Sequence, residues 1–204
     1  MNPLKSIGGT IIAGFVLAVI IVIATKGNHM VAGISAQSII IWLHVLAGIT
    51  WIGLLYYFNF VQVPALGEAA SDEGGPGGAG ISKYVAPRAL AWFRWAALAT
   101  WLTGASFLFH KGQFLNAFAL GLNADPVNQY AMTIGVGAWL GTIMLFNVWV
   151  LIWPNQKKVL GMVDASAGEV AKAKNTALLA SRSNTLMSIP MVMSMIGAGH
   201  GWFM

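Results

Sequence analysis

The sequence predicts an all-α integral membrane protein: a bundle of about five transmembrane helices, N-terminus cytoplasmic and C-terminus periplasmic. Three observations predict it. Hydrophobic residues fill 57% of the 204 positions and charged residues 8%, whereas a soluble domain carries about 25% charged residues and needs them to face water. Five apolar stretches approach the about 20 residues that cross a hydrocarbon core about 30 Å thick. None shows the alternation of barrel strands, so helices must satisfy the backbone. Finally, the basic residues fall on alternate loops, as topology requires.

The spans follow in order as residues 8–25, 39–63, 89–109, 130–153 and 186–204, forming one transmembrane domain over 1–204. The first resembles a secretory leader because Lys5 precedes it. Its apolar run is long for that role and no small-residue cleavage site follows closely, so it is expected to remain as a span. With five spans, the N-terminus and the 64–88 and 154–185 loops share one side. That side holds Lys5, Lys83, Arg88, Lys157, Lys158, Lys172, Lys174 and Arg182; the other holds Lys26 and Lys111, with Arg94 just inside the third span. The basic side is the cytoplasmic one. Tyr56, Tyr57, Trp92, Trp95, Trp153 and Trp202 sit near span ends, where aromatic rings anchor at the interface.

Two cytoplasmic loops have distinct composition. Residues 65–82 contain the run GGPGGAG and are expected to be flexible. In 155–185, Ser166 stands three residues before Glu169, a capping-box spacing. Val170, Ala173, Ala177 and Leu178 follow at helical intervals. These predict a short amphipathic helix on the membrane surface, a solvated connector being the plainer alternative.

Composition also excludes chemistry. With no cysteine, disulfides, iron–sulfur clusters, thiolate metal sites and covalent c-type haem are ruled out. The net charge of +5 is accounted for by membrane topology, so nucleic acid is not an expected partner; the lipid bilayer is. No internal repeat, phosphate-binding glycine loop, nucleophile elbow or pair of intramembrane carboxylates is present.

Histidines are then the notable groups, since an ionisable residue in a span is costly and marks a candidate site. His29, His44, His110 and His200 all fall toward the outer side of this topology. Within LHVLAGITWIG, residues His44, Gly48 and Trp51 are spaced i, i+4, i+7 and share one helix face. Imidazole ligates haem iron, a glycine one turn away admits a flat macrocycle, and an aromatic ring packs on it. The structural alternative is a histidine bonded to a neighbouring carbonyl and a glycine for helix packing. Haem b suits the set better than zinc or copper, which want three or four close ligands. Depth favours His44 with His200 as the axial pair, with His110 as the substitute. Met191, Met193 and Met195 are alternative sulfur ligands or flexible packing, and Lys111 is a propionate partner or a boundary lysine. Asn59 and Asn147 are expected to bond across to neighbouring helices, and a quinone site near the inner face, lined by Asn59, Gln62 and Arg94, is the functional alternative.

The stretches WLHVLAGITWIGLLYYFNF (42–60), ATWLTG (99–104), GAWLGTIMLFNVWVLIWPNQKK (137–158) and SRSNTLMSIPMVMSM with the later GH (181–200) together resemble the membrane domain of bacterial membrane-bound urate hydroxylases, the urate oxidase N-terminal family. Four of the five spans take part, in order. The resemblance implies a membrane oxidoreductase or electron-transfer module working with a cytochrome c inside a larger assembly, with histidines at His44 and His200. Fuller members are longer and end in a cytochrome c domain. The third and fourth spans depart from the pattern, being poor in histidine, with glycines at 135 and 137. Urate oxidation by this chain alone is therefore not expected. The competing expectation is a cofactor-free structural subunit of a membrane complex.

Overall fold

The computed structural model describes residues 2–26 and 35–201; His29 and Trp202 lie outside them. The chain divides into two units, residues 1–39 and 40–204. In the first, a short 3₁₀ turn, Pro3–Lys5, is capped by the Asn2 side chain, which accepts from the Leu4 amide at 2.9 Å. Helix α1, Ile7–Lys26, follows. It carries exposed apolar side chains on every face, as a helix bathed in lipid does.

The remaining helices are α2 (Ala36–Ser71), α3 (Ala86–His110), the short α4 (Phe114–Phe118), α5 (Gln129–Val159) and α6 (Ala167–His200). Among the described residues the fold is all-helical. Three helical stretches, Ile7–Thr25, α2 and α5, are long and apolar enough to cross a membrane. The charges Arg88 and Arg94 in α3, and Glu169, Lys172, Lys174 and Arg182 in α6, make those two helices more polar than a typical span.

The packed centre lies among α2, α3, α5 and α6. Trp51, Leu55 and Phe58 of α2 meet Phe93 and Ala97 of α3, Met144 and Val148 of α5, and Met191 of α6. A second, smaller cluster joins Leu108, Ala117, Ile134, Ala138 and Ala198. Two glycines that the sequence marked only as missing histidines explain how α5 comes so close to its neighbours. A Cβ at position 135 would run into the carbonyl of Ala117, and one at 137 would stand 3.1 Å from Cε of Met195. Small residues at such contacts let backbones approach, which is how helices associate in lipid.

Three π-helical turns interrupt the ladder: Phe58–Gln62 in α2, Ile81–Val85 before α3, and Asn147–Ile152 in α5. Each ends two residues before a proline, at Pro64, Pro87 and Pro154. Proline lacks an amide hydrogen and its ring clashes with the carbonyl four residues back; one extra residue in the preceding turn moves that carbonyl aside. The helices continue through prolines that would otherwise end them.

This corrects two sequence expectations. Because the π turn absorbs Pro64, α2 runs on to Ser71, so the first part of the 65–82 loop is helical rather than flexible. The amphipathic segment is not a separate surface helix either. Ser166 and Glu169 do form a capping box, and Ala173 and Ala177 are buried, but they open a 34-residue helix that continues into the last apolar stretch. Their apolar face packs on the bundle instead of on lipid headgroups.

Glu169 Oε2 accepts from the Ser166 amide and hydroxyl, both at 2.9 Å, and Oε1 lies 3.7 Å from Lys158 Nζ. The Ser166 bonds first, and Lys158 second, hold this exposed carboxyl below the usual carboxylate range. A lowered folded value means the cap is complete above the ordinary carboxylate range and is lost as pH falls through the lowered value. The protection factor of the Ser166 amide against hydrogen exchange should therefore drop on acidification, and that dependence should vanish in Glu169→Gln; an unchanged profile in the variant would refute the linkage.

The glycines give a second expectation. Gly135→Ala should destabilise the protein by about 1–3 kcal/mol, as overpacking against backbone does. Gly141→Ala, with nothing within 4 Å of its Cβ position, should be neutral or stabilising by about 0.4–1 kcal/mol. Thermal unfolding in one detergent compares them directly.

Candidate functional site

His44 lies on α2 against the middle of α3. Its Nδ1 is 2.8 Å from the Thr100 carbonyl oxygen and 3.3 Å from Thr103 Oγ1. A carbonyl can only accept, so Nδ1 carries the proton and donates. In the neutral ring Nε2 is then left with its lone pair outward, which is the tautomer of a metal-ligating histidine held by an outer hydrogen bond. Of the two alternatives read from the sequence, the bond to a neighbouring carbonyl is present.

The glycine that shapes this site is not the expected one. A Cβ at Gly48 would meet only Thr100 Cγ2, at an ordinary 3.8 Å, whereas a Cβ at Gly104 would stand 2.8 Å from Cε1 of His44. Gly104 makes room for the imidazole against α3. Sequence spacing along α2 has no means of finding a glycine that α3 supplies. Trp51, from the same helix face, is 2% exposed and belongs to the packed centre; its Nε1 is buried without a partner.

His110 and His200 end their helices and are exposed. Each Nδ1 lies near the carbonyl one turn back, Ser106 at 3.0 Å and Ile196 at 2.9 Å, so these rings too present Nε2 with its lone pair. No hydrogen bond joins any two of the described histidines. Trp101 Nε1 donates to Thr142 Oγ1 at 2.9 Å, which sets α3 level with α5, and Gly137 on Ser194 and Met195 sets α5 level with α6. Counting about 1.5 Å of rise per residue from those contacts, His200 stands on the order of 14 Å beyond the level of His44, and His110 about 9 Å beyond Gly104. The depth match expected between His44 and His200 is not produced.

The other candidates have packing partners. Lys111 Nζ sits 3.9 Å from the Tyr130 ring centroid, a cation–π contact at the bundle end. Met191 is in the packed centre and Met195 lies against Gly137. Among the described residues no three side chains of histidine, aspartate or glutamate gather as a metal-ion site.

Toward the opposite end a polar network links the helices. Asn184 is fully buried; it donates to the Met144 carbonyl at 3.0 Å and accepts from Asn147 Nδ2 at 2.8 Å. Ser188 donates to the Thr185 carbonyl, so Tyr56 donates to Ser188 at 2.9 Å. Asn59 Nδ2 donates to the Leu55 carbonyl at 2.9 Å and to Ser181 Oγ at 2.8 Å. The expected grouping of Asn59, Gln62 and Arg94 separates here: Arg94 stacks 3.8 Å over the Trp153 ring, with Trp95 and Trp149 beside it. Sequence reasoning missed Asn184 and Ser188. Polar residues in an apolar stretch were the available signal, obscured by Asn175 and Ser183 of the same helix, which face outward.

With this geometry established, comparison with known proteins gives one family. Residues 113–204 match the family model described as Urate oxidase N-terminal, which agrees with the resemblance read from the sequence. Neither a curated protein nor a solved structure matches the chain.

Gly104→Ala should push the His44 ring away from Thr100, whereas Gly48→Ala should leave it in place. The Nδ1–H proton resonance of His44, with exchange protection from its bond to Thr100, reports this; equal behaviour of the two variants would overturn the assignment of Gly104.

Proposed function

We propose that this relative of the urate hydroxylase membrane domain is a haem-b-binding subunit of a larger membrane oxidoreductase or respiratory assembly, with His44 as the haem ligand. One observation carries the proposal: the Thr100 carbonyl fixes the proton on Nδ1 of a span histidine, so that Nε2 is prepared to ligate. Haem b, when bound, supplies one-electron chemistry. The chain's own contribution is to orient the imidazole through Thr100 and Thr103 and to seat it against Gly104. The residues fit one axial position. In this reading the second position falls to a group other than His200 or His110, which by helix rise stand on the order of 9–14 Å from the level of His44.

In this proposal the chain is a single transmembrane domain of five spans in a bacterial inner membrane, with its N-terminus cytoplasmic. The positive side of the sequence supports that topology. His44 then lies in the outer half, and the electron partner is an outer-side cytochrome c. A cofactor-free structural subunit is the second reading. It is favoured by the bond His44 already makes and by the apolar residues that line α2 from Ile39 to Ile49 and remain exposed, as in a helix that meets other subunits.

Purified protein should give a b-type pyridine haemochrome, His44→Ala should lose most of the haem, and His200→Ala should keep it with an unchanged spectrum. Absence of haem in the parent protein supports the structural reading; full haem in His44→Ala removes His44 as the ligand.

A further inference from the structure

The three π turns do more than carry helices past prolines. Phe58 and Gln62 from the first, Ser82 from the second and Ile152 from the third all line one cavity of about 490 Å³, closed on its remaining side by the start of α6. π turns recur at functional sites because the extra residue re-aims side chains, and the volume is within the range of pockets that hold small molecules. The walls are mostly hydrocarbon, including the edge-to-face pair Phe58–Phe93 with centroids 5.5 Å apart.

Within these walls stands an unmet polar group. Gln62 is 8% exposed, and its Oε1 is buried with no hydrogen-bond partner. A buried acceptor left without a donor is costly, so the fold is missing a donor there. On the α6 wall, Ser181 Oγ already accepts from Asn59, which directs its own hydroxyl proton toward an acceptor. Lys174, two turns earlier on the same face, adds an ammonium to the lining.

We propose that this cavity binds the ring of a membrane quinol. Such a ring is flat, neutral and apolar on both faces, with a hydroxyl at each end. One hydroxyl donates to Gln62 Oε1; the other oxygen accepts from Ser181 or Lys174. The chief rival from the bilayer is a phospholipid headgroup: its phosphate diester has no proton for Gln62 Oε1, so only a headgroup hydroxyl or ammonium could donate there, and phosphatidylglycerol serves as that rival in the test. The proposal is independent of the haem at His44, which lies on the other side of the packed centre formed by Trp51, Leu55 and Phe93.

The probe is a decyl-substituted benzoquinol titrated by calorimetry into the purified full-length protein in detergent. Saturable binding is expected, weakened about tenfold in Gln62→Leu and several-fold in Ser181→Ala, as loss of one buried hydrogen bond predicts. His44→Ala should leave the affinity unchanged. Without ligand, Gln62→Leu should melt no lower than the parent, since it removes an unpaired polar group; a purely structural Gln62 would show the reverse. Should that variant fail to fold, Leu90→Trp, which fills the cavity from α3, provides the second reading and should abolish binding. The proposal is overturned if the parent does not bind the quinol saturably, if Gln62→Leu binds it equally well, or if a short-chain phosphatidylglycerol saturates the site and the quinol does not.

Discussion

Everything in the packed unit turns on how α5 meets α6, and that meeting is fixed by one buried amide. Asn184 has no exposed surface. It reaches into the last turn of α5 before the ladder widens and donates to the Met144 carbonyl, while its oxygen takes a proton from Asn147, the first residue of the π turn. In water such bonds would be exchanged for solvent. In a hydrocarbon setting the backbone has no other partner, and a neighbouring helix that supplies one is held in register. The glycines at 135 and 137 then bring α5 against α4 and α6 at the other end of the same contact.

From that register the two ends of the bundle acquire different characters. At the histidine end, His110 and His200 bond to carbonyls of their own helices, and of the described histidines only His44 crosses to another. At the π-turn end, the bonds cross between helices, through Tyr56 to Ser188 and Asn59 to Ser181. Prolines are the cause. Each one removes a backbone donor, the helix widens to accommodate it, and side chains from the widened turns are turned inward, where some find partners and Gln62 does not. Arg94 also has a buried Nε without a hydrogen-bond partner, but its guanidinium stacks on Trp153, the charge placed over the ring face.

The sequence located the helices well because burial in lipid writes itself into composition. All five expected spans fall on helices among the described residues, and the capping box at Ser166 is present, since a cap depends on residues three positions apart. Boundaries were less legible. The span expected over 39–63 lies in a helix that the widened turn carries past Pro64 to Ser71. The capping box and apolar spacing within 155–185 predicted a short separate helix, whereas the helix they open runs unbroken from Ala167 to His200.

The sequence by itself determined the all-helical, membrane-suited character of the chain, its resemblance to the urate oxidase N-terminal family and the choice of His44 as the residue to examine. These follow from local composition and from motifs within one helix. Only the tertiary structure decided that Gly104 rather than Gly48 frames the imidazole, that His200 stands at another level, and that Gln62 enters a cavity while Arg94 does not. Each of these depends on the axial register between two helices. Register is set by a few long-range contacts, Asn184 with Met144 and Gly137 with Ser194, whose partners lie tens of residues apart and leave no periodic trace in the sequence between them.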